Sequence, residues 1–207
     1  KVEVFYKWFN FTGYIAIKKM SDLIKKTRIS AYSKRNKNKL YFKEITKEIS
    51  KKEFSLIDLG CASGDFIEYV RNKKNNLNNI FYGIEKYKYL LKFNKNNIKK
   101  NTFYINTNFL NKKFSLKKKF DYVICLGTIN LFEDLNKIFK IFFKLVKKNG
   151  KIIIYDVFND NPINLRLKVN FEGSNKWISQ QNAFSEKYVQ KLCKKINPKA
   201  KINFKKI

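Results

Sequence analysis

Gly60 and Gly64 bracket a turn of small residues, Cys61, Ala62 and Ser63, between an apolar run at 54–59 and Asp65. Glycine adopts positive φ freely and lets a ligand come close to the backbone. A helix starting at Asp65 would present free N–H groups and a positive dipole end, which suit a phosphate or carboxylate. Glu85 stands roughly 25 residues beyond Gly60. Nucleotide-binding folds carry near there the carboxylate that accepts both ribose hydroxyls. These residue types at this spacing suit the binding of a nucleoside-based cofactor. Proton transfer is sparsely provided for. The chain has no His, so a base has to be a carboxylate, Tyr or Lys. Glu133, Asp156 and Asp160 lie near predicted strand ends and are the candidates, although each also reads as an ordinary solvated or capping charge.

The elements that would position these residues follow from periodicity. Residues 54–59 read as a buried strand. Phe66, Ile67 and Val70 mark the inner face of a helix starting at Asp65. Further strands are predicted at 80–85, 102–106, 120–126 and 151–156, with helices over 87–98 and 131–146 between them. Lys147, Lys148, Asn149 and Gly150 read as a helix stop. Ser185 caps a predicted helix to 196, and 200–207 form a sixth strand. Ahead of all this, residues 1–50 read as a helical cap rich in aromatics (Phe5, Tyr6, Trp8, Phe9, Phe11 and Tyr14), outside the sheet. Strands alternating with helices predict an α/β fold with a mostly parallel twisted sheet and helices on both faces. Residues 51–207 would be the nucleotide-binding domain, with an insertion at 159–180 on the substrate side.

The turn Asp58-Leu-Gly-Cys-Ala-Ser-Gly-Asp65 departs from the dinucleotide pattern G-x-G-x-x-G and lacks the Gly-Lys-Ser/Thr of a P-loop. It resembles the first motif of the class I S-adenosylmethionine-dependent methyltransferases, which usually reads Asp-hydrophobic-Gly-Cys-Gly-Ser/Thr-Gly; Ala62 is the departure. The order of strands and helices over 54–158 is similar to the same family. The resemblance implies a Rossmann-like fold, with S-adenosyl-L-methionine as cofactor and S-adenosyl-L-homocysteine as product. It implies cofactor contacts at Asp58, Gly60, Cys61, Ala62, Gly64, Glu85, Lys86, Asn108, Phe109, Leu126 and Gly127. Asn108 stands where the family often has an Asp meeting the adenine amino group. The family normally ends on a seventh, antiparallel strand, which is expected to be missing or to lie beyond residue 207. Cys125-Leu-Gly-Thr-Ile after the fourth of these strands is unlike the Asn/Asp-Pro-Pro-Tyr of adenine-N-methylating enzymes. The absence of a preceding Pro sets Cys125 apart from a cytosine-C5 nucleophile.

What remains implies methyl transfer to O or N of a small molecule or glycan precursor. Tyr14, Arg28, Tyr32, Asn130 and Trp177 are the candidate acceptor contacts. Two alternatives stay open: an RNA methyltransferase, and a non-catalytic cofactor-binding subunit. Forty-six Lys+Arg against 16 Asp+Glu give a net charge of +30, which suits a nucleic-acid partner. Only four of the basic residues are Arg, however, and Arg forks are what phosphate and base recognition favour. A Lys-, Asn-, Ile- and Phe-rich composition of the kind AT-rich codons encode accounts for the charge more simply. Cys61, Cys125 and Cys193 have no C-x-x-C spacing, so no metal site is expected and a reducing, cytoplasmic setting fits. No apolar stretch has transmembrane length and no secretory signal is visible. A start at Lys1 rather than Met fits a fragment of a longer protein.

Overall fold

The computed structural model describes residues 1–6, 29–30, 39–92, 99–170 and 177–207. In chain order the elements are β1 (Val2–Tyr6), α1 (Leu40–Lys47), β2 (Ser55–Leu59), α2 (Asp65–Lys74), β3 (Ile80–Glu85), α3 (Lys88–Leu91), β4 (Thr102–Asn106) and β5 (Phe120–Leu126). They continue with a 3-10 turn (Ile129–Leu131), α4 (Leu135–Leu145), β6 (Val146–Asp156), β7 (Phe158–Asn159), β8 (Leu165–Val169), β9 (Ile178–Ser185), α5 (Glu186–Ile196) and β10 (Ile202–Lys206).

Seven strands form one sheet in the order β10-β1-β6-β5-β2-β3-β4, every neighbouring pair parallel. Parallel strands are buried on both faces and read as near-continuous apolar runs. All five residues of β2 are buried. Leu56, Ile124 and Ile153 pack with Phe42 and Ile45 of α1 and Phe66 and Ile67 of α2. Ile57, Val123 and Ile152 face the other way, onto Ile138, Phe139 and Phe142 of α4 and Val189 and Leu192 of α5. The result is the expected three-layer α/β arrangement. Full burial of one such Ile or Leu stabilises by about 1.5–3 kcal/mol, and both layers depend on that.

Two expectations are corrected. The sheet has a seventh strand, because residues 2–6, read as part of a cap, form β1 between β6 and β10. Val2 and Val4 are 1% and 0% exposed, and β1 runs parallel to both neighbours. Lys147 to Gly150 do not simply end a helix either. α4 stops at Leu145, Val146 pairs with Phe120, and the ladder resumes at Lys151 opposite Tyr122, so the four residues between bulge from β6. Gly150 is needed there, since a Cβ would lie 2.8 Å from the backbone oxygen of Asp121. Ser185 caps α5 as expected, accepting from the Tyr188 N–H at 3.1 Å. β7, β9 and β8 make a separate small sheet from part of the predicted insertion.

Buried Asp121 in β5 and part-buried Glu48 just after α1 are matched by lysines. Asp121 is paired with Lys51 and with Lys147 at 2.7 Å, and Glu48 with Lys151 at 2.7 Å and with Lys205. Burial alone would raise the Asp121 carboxyl, but the hydrogen bonds from Lys147, Lys51 and Ser55 hold it well below the usual carboxylate range. No helix among the described residues is long and apolar enough to cross a membrane.

Candidate functional site

Because every strand of the main sheet is parallel, the ends Leu59, Glu85, Asn106, Leu126 and Asp156 lie along one edge. Chain order reverses between β2 and β5, the switch point at which open α/β sheets bind ligands. The glycine turn leaves β2 there, and residues 127–131 leave β5 beside it.

The turn is built from left-handed backbone. Gly60, Ala62 and Gly64 have φ of 84°, 49° and 73°. At Gly60 a Cβ would fall 2.6 Å from Thr128 Oγ1, and at Gly64 2.5 Å from Tyr104 Oη. Both glycines are therefore fixed by neighbours as well as by conformation. Ala62 holds a positive φ that costs an L-residue energy, and its N–H donates to Glu85 Oε2 at 3.0 Å. The other carboxylate oxygen, Oε1, accepts from the Tyr87 N–H at 2.8 Å. Glu85 is buried, and Asn106 Nδ2 holds its backbone oxygen at 2.9 Å. The two features singled out from sequence are thus in direct contact. Each carboxylate oxygen receives one backbone donor and keeps a further acceptor position.

Asp58 sits beneath the turn, 2% exposed, and its Oδ1 has no hydrogen-bond partner among the described residues. Burial, and then the charge of Glu85, push its carboxyl up to about 8. A buried acceptor of this kind suits a cationic group placed beside it. Burial also pushes the thiols of Cys61 and Cys125 well above their usual range, which favours the neutral thiol at both.

Leu126 is half-buried and Gly127 exposed, with φ 62° and nothing within 4 Å of where its Cβ would be. That open space flanks the glycine turn. Lys86 is exposed, with its ammonium 5.3 Å from the Tyr87 ring centre. Phe109 is buried against Phe132, ring centres 5.9 Å apart. Asn108 Oδ1 accepts from the Leu110 N–H at 3.0 Å, so part of its acceptor capacity shapes its own loop.

The three candidate bases have other partners. Glu133 is exposed and paired with Lys168 at 3.0 Å, and Asp160 is exposed and paired with Lys206 at 3.1 Å. Asp156 is buried. It accepts from the Asn130 N–H at 3.1 Å and the Val157 N–H at 2.8 Å, so it staples the loop after β5. Burial raises its carboxyl to about 6 against those hydrogen bonds. Of the candidate acceptor contacts, Asn130 lies on that loop with its Oδ1 buried and unpartnered among the described residues. Trp177 is 65% exposed at the start of β9. Asn182 of β9 donates to the Phe132 oxygen at 2.9 Å, which docks the small sheet onto the same loop. Tyr14, Arg28 and Tyr32 lie outside the described residues. Sequence reasoning missed Tyr104 and Thr128, the side chains that fill the space opposite the glycines. The available signal was Gly83 inside a strand, whose Cβ would lie 2.6 Å from the Tyr104 ring.

A glycine turn held by a strand-end carboxylate, at the switch point of a seven-stranded α/β sheet, is the architecture of class I methyltransferases, from which this sheet departs in that β1 is parallel where the family's seventh strand is antiparallel. A family model described as a methyltransferase domain matches residues 50–201, and the chain belongs to that family. Among solved structures, the complex between the Haloferax volcanii Trm112 methyltransferase activator and a methyltransferase matches with TM-score 0.58 and 12% identity, covering 85% of this chain and 73% of that one. An S-adenosylmethionine-dependent methyltransferase from Mesorhizobium loti matches with TM-score 0.56 and 11% identity, covering 74% and 79%. The plantazolicin methyltransferase BpumL, solved with a monoazolic desmethylPZN analogue and SAH, matches with TM-score 0.53 and 21% identity, covering 68% of this chain and 56% of its own. At such identities the likeness is one of fold, and the chain spans little more than half of BpumL. No curated protein matches the chain.

Proposed function

We propose that the chain is an S-adenosylmethionine-dependent methyltransferase acting on a small molecule or glycan precursor. The observation that carries the reading is the contact between Glu85 and the Gly60–Gly64 turn at the carboxyl edge of the sheet. The residues present fit the cofactor. Glu85 keeps acceptor capacity for the ribose hydroxyls, Asp58 offers a buried unpartnered oxygen to a cationic group, and Gly127 leaves open space beside them. The cofactor supplies the methyl group on a sulfonium. The protein's task is to bind, orient and exclude water.

None of the three candidate carboxylates is free to act as a base, which favours an acceptor oxygen or nitrogen that reacts without one. Glu133 and Asp160 are in exposed ion pairs, Asp156 holds backbone N–H groups, and there is no His. A neutral amine or an already ionised oxygen meets that condition, whereas an unactivated sugar hydroxyl would need a proton acceptor. Of the two features that suit a non-catalytic subunit, the substituted turn at Ala62 and a lost seventh strand, the second falls away, since β1 makes the sheet seven-stranded. The test is to incubate the protein with S-adenosylmethionine and a panel of amines, acids and sugar phosphates, and to follow S-adenosylhomocysteine by mass spectrometry. Acceptor-dependent product is expected from amines or acids. Product only with RNA would overturn the small-acceptor reading.

A further inference from the structure

We propose that a second site, at the amino edge of the sheet and on the opposite side from the glycine turn, binds a phosphate group. A cavity of about 420 Å³ opens there between the carboxyl end of α2 and the starts of β3 and β4. Its size is within the roughly 300–1,000 Å³ usual for small-ligand sites. Arg71, Lys99 and Lys100 line it together with Asn72, Asn75 and Asn79, and no acidic residue does. Three cations and several amide donors around one concavity match the charge and the acceptor oxygens of a phosphate.

The independent observation is Asn79. It is 2% exposed, and its Nδ2 has no hydrogen-bond partner among the described residues. Its Oδ1 accepts from the Phe54 N–H at 3.0 Å, which fixes which end of the amide is which. A buried amide N–H2 without an acceptor costs free energy; Asn79 lines the cavity with its Nδ2 just beneath the surface, so a small shift of that side chain toward a ligand oxygen would relieve the cost. The wall is held in place by Asn101, at φ 63°, whose Nδ2 donates to the Leu77 oxygen at 2.9 Å. The carboxyl end of α2 directs its negative dipole end toward the same region. Arg71, Lys73 and Lys74 in its last turn offset that. The phosphate is carried either by a small phosphorylated ligand or by an RNA backbone. The site does not depend on the methyl-transfer reading.

The test is a titration of 15N-labelled protein with pyrophosphate, following the Asn79 side-chain amide signals, with calorimetry alongside. Asn79→Asp keeps an oxygen for the Phe54 N–H but removes the donor and adds a like charge, so saturable binding should be lost. The exposed pair Lys99→Ala/Lys100→Ala should weaken binding on the order of tenfold or more, and it carries the test if the Asn79 variant does not fold. A short single-stranded RNA forms the second arm. RNA binding that pyrophosphate displaces, and that the same variants lose, identifies the source as nucleic acid. Saturation by pyrophosphate without RNA binding identifies a small ligand. Absence of saturation at about 10 mM pyrophosphate, well above millimolar affinity, overturns the proposal, as does binding that the lysine variant leaves unchanged.

Discussion

Replacing Glu85 by Ala is expected to damage both folding and cofactor binding, by separable amounts. From the sequence alone, binding is expected to suffer far more than folding. In the structure, the carboxylate accepts the Ala62 and Tyr87 N–H groups at 3.0 and 2.8 Å. Removing it leaves two donors without acceptors, each costing about 1–3 kcal/mol. For a domain of this length, each kcal/mol lowers Tm by roughly 2–4 °C, so a fall of at least about 4 °C is expected. The ribose hydroxyls lose a charged acceptor worth about 1.5–3 kcal/mol, or roughly 10- to 150-fold in Kd. Scanning calorimetry reads the first effect, and titration calorimetry below the variant's Tm reads the second. A variant with wild-type Tm would refute the geometry at the turn. A destabilised variant that binds S-adenosylmethionine as well as wild type would refute the ribose role.

Removing residues 1–6 should abolish cooperative unfolding in urea, because β1 lies between β6 and β10 with Val2 and Val4 buried; a truncated chain of normal stability would contradict this. Gly64→Ala should cost about 1–3 kcal/mol, since its Cβ would meet Tyr104 at 2.5 Å, whereas Gly127→Ala, in open space, should cost about 1–2 kcal/mol for the left-handed backbone alone. Chemical denaturation of both variants checks the order. Asp156 has its carboxyl raised from 3.8 to about 6, so its contribution is fully present below 3.8 and declines as pH rises through 6. The shift is worth on the order of 3 kcal/mol. The stability difference between wild type and Asp156→Asn should therefore move against wild type between pH 4 and pH 7, and a flat difference would remove the burial argument.

The elements read correctly from sequence are those whose signal is local. β2, the glycine turn and the start of α2 are contiguous, and the apolar run at 80–85 ends on its acid where β3 does. β1 was not legible because its partners are at 152–156 and 202–206. No turn joins it to either, and an aromatic, alternating five-residue run suits a cap as well as a strand. The bulge at 147–150 shows only Lys and Gly in sequence, which a helix end shares. At the site, spacing singled out Glu85 and the family resemblance Asp58 as candidates, but the hydrogen bond from Ala62 to Glu85 arises from folding two segments together. Asp156 was legible as a strand-end acid. Its partners are backbone N–H groups, which carry no sequence signature, so its stapling role was not.

Titration calorimetry of the wild-type chain with S-adenosylmethionine, repeated on Glu85→Ala, tests the site most directly. The expected result is one saturable site in the micromolar range, about −8 kcal/mol, weakened at least about tenfold in the variant. No saturable binding to the folded wild-type protein, or equal binding to both, would contradict the account.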